Sequence, residues 1–451
     1  MGATLGGVSV LIAGAGLAGL SAARELTAAG AAVTVVDARD RVGGRVWTIR
    51  DRFAERQHAE AGGDMIDDAQ SEIRDLAAAV GLKLTRILRS GFGYVRADPS
   101  GRARIVGRSG MRGWGRLAGV LDELGRPYRL AEQRWDTPIA TDIARRSVAS
   151  WLDATKADED LRATATGLRG FFLADPDDLS LLALVDQFAG DNTPAPGVMY
   201  RIEGGNDRLP GALAAPLGDR LRLNTEVVAL SHRGQNVRVS VKTAGALSQI
   251  VCDYAILALP ASVLRRIPIT PSLPVHQHDA IGRLKYGRAT KTLLQFTRRF
   301  WRAAGRPRAF GSPLGFGAVW DANEEQRGRS GILALLAGGS ASDATQAMTA
   351  RDGAPGLTRA LDWLGADHAE LVTSRQVVWE HDPFARGGYA FFDPEFDPSL
   401  RAWLARPCGR LFFAGEHTSI KWQGYMNGAV ESGRRAAFEI IATNRQRPSA
   451  A

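Results

Sequence analysis

The feature that leaves this chain the fewest options is a glycine turn set between two short apolar strands within its first 45 residues. Val8-Ser9-Val10-Leu11-Ile12-Ala13 is rich in β-branched and apolar residues, the pattern of a parallel strand buried on both faces. It runs into Gly14-Ala15-Gly16-Leu17-Ala18-Gly19, which opens a helix, and a second strand, Ala32-Val33-Thr34-Val35-Val36, ends on Asp37. In such a turn Gly14 permits the tight bend, Gly16 lets the backbone approach a pyrophosphate, and Gly19 brings helix and strand close together. Phosphates would sit at the helix N-terminus, where unpaired N–H groups and the helix dipole favour negative charge. Asp37 has the acceptors for a ribose diol and would repel a 2′-phosphate. Glycine-rich turns with only a structural role are common. The strand before this one, the helix after it and the acid that closes the second strand tie it to a dinucleotide.

The next residues narrow the cofactor. Arg39, Asp40 and Arg41 lead into a second glycine turn, Gly43-Gly44-Arg45. A nicotinamide cofactor needs nothing further here, whereas a flavin dinucleotide, threading deeper, uses such a turn and its arginine charges. The segment VVDARDRVGGR resembles the start of the flavin amine oxidase family, which includes monoamine, polyamine and L-amino-acid oxidases. The family's usual glutamate is Asp37 here, shorter but with the same acceptors. The resemblance implies an α/β fold: a discontinuous Rossmann-like FAD-binding domain with an interleaved α+β substrate domain. The expected pieces are 1–85, 201–285 and 385–451 for FAD, and 86–200 and 286–384 for substrate.

Composition excludes several other classes. At 451 residues the chain is long enough for two domains, and 45% hydrophobic with 23% charged residues is ordinary for a globular protein. The net charge of +9 comes from dispersed arginines, with only six lysines and no dense basic run, so a solvated surface is expected rather than a nucleic-acid or membrane partner. Cys252 and Cys408 form no CxxC or metal spacing, and histidines are few; no metal site or disulfide framework is expected, which suits a reducing cytoplasm. Residues 8–23 are apolar enough to imitate a signal peptide but lack a positive leader, and the glycine turn explains them better. No run of about 18 apolar residues occurs elsewhere, and the polar end TNRQRPSAA stops short of the anchor helix that membrane-bound monoamine oxidases carry. A soluble, cytoplasmic protein is expected. Oligomeric state is open, a homodimer being compatible.

Further along, Ala59-Glu60-Ala61-Gly62-Gly63-Asp64-Met65-Ile66 places adjacent glycines after a strand, which suits either an ordinary turn or a backbone passing a flat ligand. The family's double-glycine motif assigns Gly62 and Gly63 to the isoalloxazine. Ser71–Val80 reads as a helix, and helical patterns recur around 115–124, 148–156, 160–173 and 179–189, broken by a Pro- and Gly-rich loop at 190–197. Trp114, Trp151, Phe171 and Phe172 read as core. Ile202–Pro210 resembles the family's turn before the second flavin segment. Leu221–Val227 reads as one strand, with Val227 placed beside the adenine by resemblance; Val237–Lys242 and Tyr254–Leu259 are further strands.

Three later segments carry the remaining assignments. Tyr286-Gly287 precedes Lys291 on a strand that continues to Phe300-Trp301, the register of the family lysine that holds a water near flavin N5. Alternation along that strand leaves open which face is buried, and a solvated lysine is the commoner fate. In Trp379–Tyr389, Gly388 stands where mitochondrial monoamine oxidases have the cysteine that bonds the flavin, so FAD held without a covalent bond is implied. Tyr389 fits one wall of the family's amine cage, although a core tyrosine would read the same. Leu411–Thr418 and Trp422–Ala429 match the family's closing motif. There Gly415 and Glu416 would contact FAD, Tyr425 fits the second cage tyrosine and, with Met426 and Trp379, joins the flavin contacts. Met65 takes a place in the substrate pocket where L-amino-acid oxidases often have a carboxylate-clamping arginine.

The expected activity is FAD-dependent oxidation of an amine to an imine, which hydrolyses to an aldehyde or ketone, with oxygen reduced to hydrogen peroxide. The partners are thus a small amine and molecular oxygen. An L-amino-acid oxidase is the alternative; a desaturase of apolar substrates would lack cage tyrosines, and a flavin-binding chromatin module would show added reader elements.

Overall fold

The computed structural model describes residues 5–97, 103–104, 110–189 and 198–445. At its centre lies a five-stranded parallel sheet gathered from three distant pieces of chain. Strands β1 (Ser9–Ala13) and β2 (Ala32–Val36) pair from Ser9↔Ala32 to Ala13↔Val36, joined by helix α1 (Leu17–Ala28). Tyr254–Leu257 pairs with the other side of β1, Leu411–Phe413 lies beyond it, and Leu221–Arg222 flanks β2. Alternate side chains serve opposite faces. Val10, Ile12, Val33, Val35, Ile256 and Phe412 pack with α1 and the C-terminal helix Met426–Arg445. Leu11, Ala13, Val36, Leu257 and Phe413 pack on the far side with Val237, Val239 and Val241. Each such buried aliphatic side chain stabilises the fold by roughly 1.5–3 kcal/mol. Small residues let the two helices touch: a Cβ on Gly433 would stand 2.1 Å from the Ala18 carbonyl oxygen.

The stretch Leu221–Val227 is two strands rather than the expected one. Asn224 adopts a left-handed φ of 50°, and the N–H groups of Asn224 and Thr225 donate to the carbonyls of Arg39 and Asp37, each at 2.8 Å. The chain thus turns out of the parallel sheet beside Asp37 and begins Thr225–Ser231, which pairs with Val237–Thr243 and Ile269–Thr270. Hydrophobic alternation continues through the turn, so the pattern alone hides it.

Helices dominate 110–189, as expected: Gly110–Leu130, Pro138–Ala144, Val148–Ala154, Glu159–Gly167, Arg169–Phe172 and Leu181–Ala189. Thr137, Ser147 and Asp158 each cap a helix by accepting a backbone N–H from three residues on. Trp151 is core, at 2% exposure, whereas the side chain of Trp114 and the loop 190–197 lie outside the described residues.

A six-stranded sheet faces this helical layer, ordered Leu371–Val378, Ala289–Phe296, Gly331–Gly338, Ala318–Asp321, Ala309–Gly311, Gly93–Tyr94. All eight residues of Ala289–Phe296 are buried. Leu294 and Phe296 pack with Leu357 and Leu361, while Leu293, on Lys291's face, packs with Ala59, Ala61 and Trp320. Lys291 therefore points towards the double glycine. Among the described residues no helix is long and apolar enough to cross a membrane, and both Cys252 and Cys408 are free thiols.

Candidate active site

A cavity of about 1090 Å³ extends between the parallel sheet and the six-stranded sheet. Sites for ordinary small ligands occupy roughly 300–1,000 Å³, so there is room for a dinucleotide with a small molecule beside it. The α1 glycine turn, Asp37, Val227, the second glycine turn, Gly62, Gly63, Lys291, Trp379, Gly415 and Glu416 all border it, as do Met65, Tyr389, Tyr425 and Met426.

The glycines divide by what crowds them. A Cβ on Gly14 would stand 2.6 Å from Ala258 O, and one on Gly19 would stand 1.9 Å from Gly14 O, so packing alone requires both. Gly16 is different: the nearest atom to its Cβ position is Gly43 O at 4.0 Å, and Gly44 in turn faces the Cα of Gly16 at 3.7 Å. Two bare backbones thus open on the cavity at the start of α1, where helix N–H groups lack intrahelical partners. This is the cradle a pyrophosphate needs. Gly62 is tight against Arg45 O, and Gly63 packs on Met426 Sδ, so the double glycine forms a flat backbone wall braced by Trp379, whose Nε1 donates to Ala61 O at 3.0 Å. These residues fit a flavin dinucleotide.

The charged groups around this cradle largely hold one another. Asp37 accepts from the Ala15 N–H at 2.7 Å and the Arg39 N–H at 2.9 Å, while burial pushes its carboxyl above the usual value. Arg39, expected beside the pyrophosphate, turns its fork onto Asp382 at 2.9–3.0 Å. Arg45 donates to Glu416 Oε1 at 2.9 Å and to Gly388 O at 2.7 Å; Glu416 Oε2 accepts the Gly424 N–H at 2.9 Å. Glu416 therefore joins the closing motif to the second glycine turn and to the segment before Tyr389.

Lys291 is 2% exposed. Its Nζ donates to Asp64 Oδ2 at 2.9 Å and to Gly62 O at 3.1 Å, and lies 5.0 Å from the Trp320 ring centre. Burial lowers its affinity for the proton, and Asp64 opposes that loss. Asp64 also accepts from Trp320 Nε1 at 3.0 Å and Arg201 Nε at 2.5 Å; burial acts against its charge, but Arg201 and Lys291 hold it below the usual carboxylate range. Neither Asp64 nor Arg201 was singled out in the sequence. Asp64 directly follows the double glycine and offered a signal; Arg201 offered none.

Tyr389 donates its hydroxyl to the carbonyls of Phe171 and, at 3.2 Å, Gly170, and its ring lies over Gly424. Tyr425, 37% exposed, reaches Gln187 Oε1 at 3.3 Å; burial, with Asp67 nearby, pushes its hydroxyl up to about 12. Both tyrosines stay neutral phenols at physiological pH. Phe171 and Phe172 border the cavity, and Phe171 is 37% exposed, so neither is purely core. The short helix Arg169–Phe172 ends at Leu173 with a φ of 56°, which brings both rings to the cavity's edge. Gly388 is closely packed: a Cβ there would stand 2.3 Å from Leu173 Cδ1 and 2.9 Å from Ala289 Cβ. A side chain at that position would require Leu173 and Ala289 to give way.

A discontinuous parallel sheet, a helix N-terminus with bare glycines and a flat glycine wall define a flavin-dinucleotide oxidoreductase. The sequence pattern of the family described as flavin containing amine oxidoreductase matches residues 17–441, and the chain belongs to that family. It is similar to a Mycobacterium tuberculosis protein named as a flavin-containing monoamine oxidase, 29% identical with 96% of this chain and 97% of that one covered. It is also similar to flavin-containing amine oxidase B of Rattus norvegicus, 26% identical over 96% and 86% of the two chains. Putrescine oxidase, solved with putrescine bound, superposes with a TM-score of 0.83 at 25% identity, covering 96% of this chain and 99% of that one. The protein is thus a flavin-dependent oxidoreductase acting on amines, with FAD as its cofactor.

Proposed function

We propose that the protein oxidises a small, uncharged amine at its α-carbon, giving an imine that water hydrolyses to an aldehyde or ketone, with oxygen leaving as hydrogen peroxide. The observation that carries this reading is the pairing of Tyr389 and Tyr425 on one cavity with Met65, which has no charge, at the place where a carboxylate clamp is often found. FAD, when bound, supplies the two-electron acceptor. The protein's own residues supply placement. Two neutral phenol rings, anchored through Phe171 O and Gln187 Oε1, favour an uncharged nitrogen and fix its approach, a proximity effect. Lys291 places a cation beside Gly62, where it stabilises negative charge developing on the double-glycine side of the cavity. The N-terminus of Met426–Arg445 adds a second positive pole. No strong side-chain base is needed.

The L-amino-acid oxidase reading requires a free guanidinium fork. Of the arginines that border the cavity, Arg401 spends its Nη1 on Gln423 Oε1 and its Nη2 on the carbonyls of Ser419 and Ile420, Arg39 and Arg45 are held by Asp382 and Glu416, and Arg266 and Arg386 sit at exposed positions. The divided segments assigned to cofactor and substrate, 1–85 with 201–285 and 385–451 against 86–200 with 286–384, belong to the same proposal. A peroxide-coupled screen of amines and amino acids tests the activity. Peroxide release with simple amines is expected; turnover confined to amino acids would overturn it.

A further inference from the structure

The buried lysine does not stand alone. Behind it runs a chain of alternating charge: Lys291, Asp64, Arg201, Glu325. Arg201, 2% exposed, donates through Nε to Asp64 Oδ1 and through Nη1 to Glu325 Oε2 at 3.0 Å and Ala322 O at 2.7 Å. Asp64 is gripped on both oxygens, since Trp320 Nε1 shares Oδ2 with Lys291. Glu324 lies near the Arg201 and Glu325 end, and Glu60, a further acid facing this group, accepts from the Asn206 N–H at 2.9 Å and Thr48 Oγ1 at 2.8 Å. Burial, with Asp64 adding, pushes it up to about 8, so it is mostly neutral at pH 7. Of the three hydrogens on Nζ, Asp64 and Gly62 O take two, and the third remains for the cavity that Lys291 borders.

We propose that Asp64 is the positioning residue for Lys291: it pins Nζ beside Gly62 and keeps the lysine charged where the cofactor is expected to lie. The inference rests on reading this cavity as the flavin site. Without Asp64, Glu325 still pairs with Arg201, and Glu60 is held by Thr48 Oγ1 and the Asn206 N–H, so neither acid bonds Lys291. A buried ammonium without a partner sheds its proton. Asp64 thus decides the charge that oxygen meets when it takes two electrons and two protons to become hydrogen peroxide.

The test uses the flavin-loaded protein with ¹³C,¹⁵N-lysine. Six lysines give six side-chain signals, and Lys291→Met identifies the one of interest. The Lys291 ammonium signal should titrate at a lower pH in Asp64→Asn than in the parent, by about two pH units or more. After photoreduction, which needs no amine, reoxidation by oxygen in the parent should follow the titration of its own Lys291 signal. In Asp64→Asn it should fall tenfold or more through the same midpoint as the lysine signal, and Asp64→Asn/Lys291→Met should show no step. An unchanged lysine midpoint, or coincident pH profiles, would overturn the proposal. If Asp64→Asn alone gives no folded flavoprotein, the double variant decides. Recovery of flavin binding supports the pairing, whereas failure of both assigns Asp64 to holding Arg201 and overturns it. A wrong substrate class would leave both readouts intact.

Discussion

Lys291 and Tyr425 carry separable tasks, and single substitutions distinguish them. Lys291→Met removes the buried ammonium while keeping a side chain of similar length, so FAD should stay bound. Reoxidation by oxygen should slow at least tenfold, more than anaerobic reduction by amine, because one buried charge acting on a developing anion is worth several kcal/mol. Stopped-flow traces of the two half-reactions check this, and unchanged reoxidation would remove Lys291 from the chemistry. Tyr425→Ala should lower turnover about tenfold or more with little loss of flavin, since its ring borders the cavity and its hydroxyl engages only Gln187 among the described residues. Comparing kcat with flavin content per chain separates the two effects. The register before Lys291 was readable in the sequence, but its burial was not. Its strand is covered on both faces, and the residues that cover it come from far away: Asp64 lies 227 positions earlier. Arg201 was invisible for the same reason, being one of many arginines until the fold brings it to Asp64.

Among the elements, β1–α1–β2 was legible almost residue by residue, because its task fixes residue types at fixed spacing. The split at Asn224 was not, since a single left-handed residue leaves the apolar alternation on either side intact. The turn before Tyr389 was legible through what it lacks. Gly388 carries no sulfur, and Leu173 and Ala289 fill the space beside it. Acid precipitation should therefore release intact FAD into the supernatant, and flavin that remains with the polypeptide would refute this. The short ribbon pairing Thr48–Ile49 with Ala59–Glu60 carries its own pH dependence. Glu60 is raised from 4.5 to about 8, chiefly by burial. The stability that goes with its neutral form is complete below about pH 4.5 and is lost as pH rises to about 8, by an amount on the order of a few kcal/mol. Glu60→Gln should flatten the fall in Tm between pH 5 and pH 8, and parallel Tm curves for the two proteins would show that Glu60 titrates normally.

For the whole molecule, the question is which substrates the assembled cavity admits. Four of its cations are engaged by the protein itself: Arg39 by Asp382, Arg45 by Glu416, Lys291 by Asp64, and the Arg401 fork by Gln423 and two carbonyls, while Arg266, Arg386 and Lys421 border the cavity from exposed positions. A substrate carboxylate entering beside Tyr389, Tyr425 and Met65 would lose its hydration while these four cations are already engaged, whereas an uncharged amine gives up little. A missing charge partner costs a few kcal/mol, so a simple amine should exceed the α-amino acid with the same side chain by about a hundredfold or more in kcat/KM. Paired assays such as phenethylamine against phenylalanine measure that ratio directly. The preference should persist at high salt, because it arises from desolvation inside the cavity and not from the basic surface, whose attraction for anions is screened beyond about 10 Å at 0.1 M salt. An amino acid favoured by that margin would mean that one of these ion pairs opens on binding, or that Arg266 or Arg386 turns inward, so that an arginine clamps the carboxylate, and the protein would then be an amino-acid oxidase.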